Sequence, residues 1–357
     1  MTAGYPRLVV SEEKIYENVV RVVDLCARSG IATTGVAKGV GAREKVVRAM
    51  AEGGCTEIGD SRMGDLEFIR TLDLGLPLLL LRIPMPSELA RVVRSADRTL
   101  VSMPETVSLL ERECEFARKE HEVIVMFDLG DLREGIWMGQ MEEMADVLGR
   151  SGRVRCAGVG TNFGCYGGSL PVPDKLNRLV SIGEELERCL GYPIKTYSGG
   201  STSSLMLVER GEMPSGVNNL RVGEGILLGT DVTGNRDIPW LHQNTMRLEA
   251  EVVEVYRKPS VPVGPFGLDA FGKKAEFVDR GERLRAILAV GRQDVKIEGI
   301  LPEVQEAKIL GGSSDHMILD VEDVRPEPAL GDIMRFFPDY AAMLALSTSP
   351  FVAFDVV

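Results

Sequence analysis

Thr33-Thr34-Gly35-Val36-Ala37-Lys38-Gly39-Val40-Gly41 is the stretch on which the fold turns. An apolar β-type run over residues 31–37 closes on one lysine and two glycines. A helical pattern then begins at Arg43, with Val46, Val47 and Met50 on one face. This is one strand–loop–helix beat, and the rest of the chain is read in its register. Lysine is rarely buried unless paired, so one that closes an apolar strand needs a partner or a task. Two readings are open. The side chain snorkels from the strand end to solvent, or its amine is lowered in pKa for Schiff-base chemistry of the kind pyridoxal phosphate uses.

Outward from this beat the alternation repeats. Before it, residues 8–10 read as a short strand, and Ser11-Glu12-Glu13 supplies an N-cap and an acidic first turn. Ile15, Val19, Val22, Val23 and Cys26 keep the helical period up to Gly30. After it, strands near 57–59, 78–82, 99–101, 123–128, 156–160 and 195–197 each precede a helical segment, and a last strand lies at 219–222. Strands and helices alternating at roughly 25-residue intervals imply parallel βαβ units. About eight strands from residue 31 point to an α/β chain built on a closed (β/α)8 TIM-type barrel.

In such a barrel the strand C-terminal ends face the active site. Lys38, Asp60, Arg82, Asp128 with Arg133, Thr161 with Asn162, residues 198–203 and Arg221 all fall there. Past Gly229 the helices give way to β-type runs at 246–256, 284–290, 316–321, 333–337 and 350–356, with a short helix at 340–346. The expected division is a cofactor-binding barrel over residues 1–230 and a C-terminal mostly-β domain over 231–357. Strand 8–10, which precedes the barrel, is free to pair in the second domain instead.

Bulk composition excludes several classes. The 357 residues are 44% hydrophobic and 26% charged, which suits two globular domains and not disorder. A formal net charge of -12 argues against a general binder of nucleic acid or anionic membrane. The longest apolar stretch, 76–81, contains Pro77 and stops at Arg82, far too short for a bilayer. With no signal core at the N-terminus, a cytoplasmic protein is expected. The six cysteines form no C-x-x-C pair and read as reduced core thiols. His121, His242 and His316 are too scattered for a zinc site, and no metal is expected.

Four further stretches carry chemistry. Residues 198–205, SGGSTSSL, follow a strand and open a helix; glycines allow close backbone approach, and hydroxyls and free N–H groups suit a phosphate. Residues 220–226, LRVGEGI, put Arg221 and glycines at a strand end; a guanidinium facing a pyridine nitrogen leaves that nitrogen unprotonated. It could equally pair with Glu224. Residues 128–135, DLGDLREG, present Arg133, which can orient a carboxylate bidentately or simply belong to a mixed-charge loop. Residues 160–168, GTNFGCYGG, form a polar glycine-dense loop whose side chains can reach a cofactor ring.

Together these residues resemble the alanine racemase superfamily of pyridoxal-phosphate enzymes (fold type III). The resemblance implies a barrel joined to a C-terminal β domain, pyridoxal phosphate as cofactor, and head-to-tail homodimers with shared sites. It implies that Lys38 holds the cofactor and acts as one base. The loop presenting Arg133 lies near the cofactor oxygen and substrate carboxylate, Arg221 faces the ring nitrogen, and Ser201, Thr202, Gly223 and Glu224 lie around the phosphate. Ser314-Asp315-His316 and Gly331-Asp332 resemble further family segments.

Three departures matter. The tyrosine four residues after the lysine is Ala42, the histidine of the T-H-F segment is Asn162, and the partner-donated tyrosine base falls near Phe271. Phenylalanine cannot move a proton, so Asp269, Asp315 and His316 are the candidates for the second base. Asp-Leu-Arg-Glu-Gly, Ser-Asp-His and Gly-Arg-Gln-Asp resemble the ornithine/lysine racemase branch, which implies a racemase of a basic amino acid. A carboxylate among Asp269, Asp294 and Asp315 would then hold the distal ammonium. A lyase or decarboxylase of the same fold, and a non-catalytic cofactor carrier, are the rival readings.

Overall fold

The computed structural model describes residues 4–137, 140–272, 274 and 276–357. It divides into two units. Glu12–Gln243 form one, and the segment up to Ser11 joins Asn244–Val357 in the other. Strand β1 (Arg7–Val10) thus belongs to the second unit, and helix α1 (Glu12–Ala27) opens the first.

In the first unit eight parallel strands close into a barrel. They are β2 (Ala32–Val36), β3 (Glu57–Asp60), β4 (Leu78–Leu80), β5 (Arg98–Val101), β6 (His121–Met126), β7 (Val154–Gly160), β8 (Thr196–Ser198) and β9 (Asn219–Val222), and β9 returns to pair with β2. Between them run α2 (Glu44–Glu52), α3 (Met63–Thr71), α4 (Leu89–Ser95), α5 (Pro104–Ala117), α6 (Met141–Arg150), α7 (Pro173–Leu190) and α8 (Leu205–Glu209), and α9 (Glu224–Leu228) follows β9. Helix α1 buries Ile15, Val19, Val22 and Cys26 at helical spacing.

The break expected after residue 230 falls at 243 instead. Asn18, buried within the apolar face of α1, accounts for this. Its Nδ2 donates to the carbonyls of Ile226 (3.1 Å) and His242 (3.0 Å), and its Oδ1 accepts from His242 N (2.8 Å). Ile238 and Leu241 are buried beside this strap. The hairpin of β10 (Thr230–Asp231) and β11 (Arg236–Asp237), too short to announce itself in sequence, therefore stays with the barrel.

Strand register divides the barrel interior in two. Leu79, Leu100, Ile124 and Met126 form an apolar cluster on β4, β5 and β6. Arg98, two residues before Leu100 and hence on the same face, reaches Glu57 on β3 past the intervening β4, as a side chain can across a barrel lumen. Thr34 pairs with Glu57 on one side and Arg221 on the other, so the β2, β3 and β9 side of the lumen is polar. Barrel interiors are ordinarily filled with branched apolar side chains, which makes that polar half a feature to explain.

The second unit is an eight-stranded sheet. A path runs through β14 (Ile300–Pro302), β17 (Ile333–Pro338), β12 (Met246–Pro259), β13 (Glu282–Leu288), β16 (Met317–Asp320) and β15 (Lys308–Gly312). Strand β1 pairs antiparallel with β12 and parallel with β18 (Ala353–Val356). Met246, Leu248, Ala250 and Val252 alternate inward along β12, and a bulge between Val252 and Glu254 marks where it turns to β13. Helix α10 (Tyr340–Thr348) starts on the Asp339 carboxylate, which accepts from Ala342 N at 2.8 Å. Strands β14 and β15 were not expected: one has three residues and the other carries Gly311 and Gly312.

Candidate active site

Lys38 follows β2 directly. Ala37 N donates to Gly59 O (3.0 Å), which continues the β2–β3 pairing to the strand's end, and Lys38 then opens a single 3-10 turn closed by left-handed Gly41. The side chain is half-buried. Among the described residues no hydrogen bond or ion pair engages its ammonium, and burial lowers its pKa. The charges acting on it are mixed, with Asp60, Glu134 and the Cys165 thiol opposing Arg133.

Asp60 ends β3 and is fully buried. Its Oδ1 accepts from Arg62 N at 3.0 Å, while its Oδ2 has no hydrogen-bond partner among the described residues. Burial, aided by the neighbouring Asp65 carboxyl, pushes its pKa up to about 7. Arg82, at the next strand end, pairs with Glu88 at 2.8 Å.

The arginine loop is wrapped around a carboxylate. Asp128 Oδ1 accepts from the backbone N–H of Gly130 (2.8 Å), Asp131 (3.0 Å) and Leu132 (3.2 Å). Gly135, at φ +135°, returns the chain so that Ile136 N donates to Met126 O at 2.8 Å; a Cβ there would lie 2.4 Å from Asp128 N. Buried Asp131 accepts from the backbone N–H of Cys165 and Tyr166 (both 3.1 Å), which ties this loop to the 161–168 loop. Arg133 itself forms a two-bond pair with its neighbour Glu134. Burial opposes its charge, and the Glu134 pairing leaves its pKa above the ordinary value.

Arg221 sits deeper. Its Nη2 donates to Thr161 O and Asn162 Oδ1, both at 2.7 Å, and its Nη1 donates to Ser198 Oγ. Burial lowers its pKa to about 10, which leaves it charged at neutral pH. Asn162 in turn donates through Nδ2 to Glu134 Oε1 at 2.6 Å. The structure therefore joins Arg221, Asn162, Glu134 and Arg133 in one line; of the four, only Glu134 carries no role in the sequence reading.

The hydroxyl-rich segment follows β8. Gly200 takes φ +111°, Thr202 Oγ1 accepts from Gly225 N at 3.1 Å, and Ser204 Oγ donates to Gly199 O at 2.7 Å. Ser201 precedes the turn, and the Oγ of Ser203, like Thr161 Oγ1, is buried without a hydrogen-bond partner among the described residues. Gly223 lets β9 approach β2, since a Cβ there would stand 3.1 Å from Val36 Cβ. The Glu224 carboxylate is taken up by Thr230 Oγ1 and Val232 N, both at 2.8 Å, so its side chain closes the following turn.

The remaining predicted residues sit on the β unit. Exposed Asp269 accepts from Phe271 N at 2.9 Å, and Phe271 lies under Arg292 at 5.3 Å. Asp315 accepts from Gln293 Nε2 (2.7 Å) and Ser314 Oγ (2.6 Å), and His316 N donates to Ser313 Oγ at 3.2 Å. Asp294 is buried and accepts from Ser349 Oγ at 2.7 Å. Among the described residues no acidic, histidine and cysteine cluster could hold a metal ion, and no helix is long and apolar enough to cross a membrane.

Residues 10–231 match the family model of the alanine racemase N-terminal domain. Lysine racemase of Thermotoga maritima is 42% identical over 98% of this chain and 97% of its own length. Ornithine racemase of Acetoanaerobium sticklandii is 37% identical over 98% of both chains. Among solved structures, alanine racemase from Bartonella henselae with covalently bound pyridoxal phosphate superposes with a TM-score of 0.75 at 14% identity, covering 99% of this chain and 100% of that one.

Proposed function

The chain belongs to the alanine racemase family, and from that premise we propose that it is a pyridoxal-phosphate-dependent racemase of a basic amino acid, lysine or ornithine. The observation that carries this reading is Lys38, a strand-end amine with no hydrogen-bond or ion-pair partner among the described residues and a pKa lowered by burial. The donor set around it fits a phosphorylated pyridine. Ser203 Oγ and Thr161 Oγ1 are buried polar atoms without a hydrogen-bond partner among the described residues, and Arg221 is a fixed donor-only group.

Lys38 would hold the cofactor through Nζ. Ser201, Thr202 and the backbone of Gly223 and Glu224 would take its phosphate, Arg221 its ring nitrogen, and Asn162 would stand beside the ring. When bound, pyridoxal phosphate supplies an electron sink for the charge left at Cα. Arg133 orients the substrate carboxylate. Lys38, whose ammonium burial disfavours, takes or returns the Cα proton on one face. A second group must serve the other face, and Asp269, Asp315 and His316 of a partner subunit's β unit are our candidates. The homodimer this needs would cover apolar side chains of that unit that stand in solvent, Val263, Phe266, Leu268 and Val278, each more than 60% exposed. A cytoplasmic location suits six free cysteines.

Incubation of the purified enzyme with L- and D-lysine and L- and D-ornithine in D₂O tests the reading. Deuterium should enter Cα from either enantiomer, and chiral chromatography should show both converging on one mixture. Full retention of Cα–H by cofactor-loaded enzyme refutes racemisation, and carbon dioxide or a carbonyl product would indicate a decarboxylase or lyase.

A further inference from the structure

Inside the barrel an unbroken line of hydrogen bonds joins Arg221 on β9 to the carboxylate of Glu57, the residue that opens β3. Arg221 donates to Ser198 Oγ, Ser198 donates to Asn219 Oδ1 at 2.5 Å, and Asn219 Nδ2 donates to Thr34 Oγ1 at 3.0 Å. Thr34 then donates to Glu57 Oε2 at 2.8 Å. Every donor points the same way. A guanidinium only donates and a carboxylate only accepts, so the two ends dictate how the hydroxyls and the amide between them are turned. All five residues are buried. The second oxygen of Glu57 faces Arg98 Nη1 at 3.3 Å, and Arg98 is held in turn by Glu122 at 2.7 Å.

A valine or leucine at any of these positions would fill the lumen without the cost of about 1–3 kcal/mol that an unsatisfied buried polar group carries. Consecutive hydrogen bonds in a low-dielectric interior also polarise one another. We propose that Glu57 is a positioning residue for Arg221: through Thr34, Asn219 and Ser198 it holds the guanidinium in one orientation and serves as its remote counter-charge. This rests on the reading of Arg221 as the donor to the cofactor's ring nitrogen. Among the described residues Arg221 has no carboxylate in ion-pair contact, and its other two bonds go to Thr161 and Asn162 beyond the end of β7. The relay ties it to β2, β3 and β8. Burial disfavours the charge at both ends, raising Glu57 and lowering Arg221; Arg98 and then Arg221 offset the penalty at Glu57, while Glu134 and then Glu57 offset that at Arg221.

Thr34→Val keeps the shape of the side chain and cuts the line; Thr34→Ser keeps the hydroxyl. Both are compared with Arg221→Lys in the cofactor-loaded enzyme, reading the visible absorption of the bound cofactor together with kcat and KM. Arg221→Lys should shift the absorption. Thr34→Val should shift it in the same direction and lower kcat roughly tenfold with KM nearly unchanged, and Thr34→Ser should match the parent. Glu57→Gln retains an acceptor but not the charge, and should give a smaller shift of the same sign. A shift in Arg221→Lys without one in Thr34→Val overturns the relay and leaves the ring-nitrogen reading standing. No shift in Arg221→Lys refutes that reading and the relay with it. If Thr34→Val does not fold, Glu57→Gln decides: a parental spectrum and kcat overturn the proposal.

Discussion

Replacing Asp60 by asparagine should stabilise the barrel, and do so only as pH rises. Burial moves the Asp60 carboxyl from 3.8 to about 7, roughly three pH units, and each unit is worth about 1.36 kcal/mol. The folded state holds this proton more tightly than the unfolded chain. Its contribution is therefore intact below about pH 4, is lost as pH rises to about 7, and stays lost above that. Asparagine is neutral throughout, so Asp60→Asn should gain up to about 4 kcal/mol at pH 8 but only about 1–2 kcal/mol at pH 5. Both tryptophans, Trp137 and Trp240, lie in the barrel unit, so urea unfolding followed by tryptophan fluorescence reports on that unit. An equal gain at both pH values, or a loss at pH 8, would show that Asp60 is not a strained buried carboxyl. The same substitution should raise the fraction of neutral Lys38, because it removes a negative charge that favours the ammonium.

Gly135→Ala places a Cβ 2.4 Å from Asp128 N at a positive φ, which should cost about 1–3 kcal/mol or more and lower kcat/KM through misplacement of Arg133; thermal unfolding and steady-state kinetics check it. Asn162→Ala leaves Arg221 and Glu134 each one partner short, so a loss of about 1–3 kcal/mol is expected in urea unfolding, with reduced racemisation. His121 is buried against Thr99 with its pKa depressed from 6.5 to about 4, so the stability it lends above pH 6.5 is lost as pH falls toward 4. His121→Gln should flatten that acid limb by up to about 3 kcal/mol, and an unchanged limb would show that His121 is not the group responsible.

The barrel was legible because its beat is local: each strand, its closing polar residue and the next helix lie within one short window. Lys38, Arg133 and Arg221 could be found for that reason, each marked by glycines at a strand end. Glu57 could not. A glutamate opening a short strand is indistinguishable from a solvated edge residue until the barrel closes and Thr34 and Arg98 take up its two oxygens. The Asn219–Thr34 bond spans 185 residues, a separation no window can bridge. The 243 boundary was hidden likewise, since it depends on one asparagine of α1 reaching the chain 224 residues later. In the β domain the alternation of β12 was readable, whereas β15 was masked by its glycines.

The pairing of β1 has a consequence for biosynthesis. Arg7 meets Glu249 across 242 residues, and at ~5–20 residues per second the strand waits on the order of 10–50 s for its first partner. Every residue of the barrel has been made by then. The emerging chain must therefore carry Leu8 and Val10, both fully buried at the end, as an unprotected sticky strand throughout translation of the barrel. Cotranslational aggregation of this protein should originate at residues 7–10, and a chaperone that shields nascent chains would do most for it in that interval.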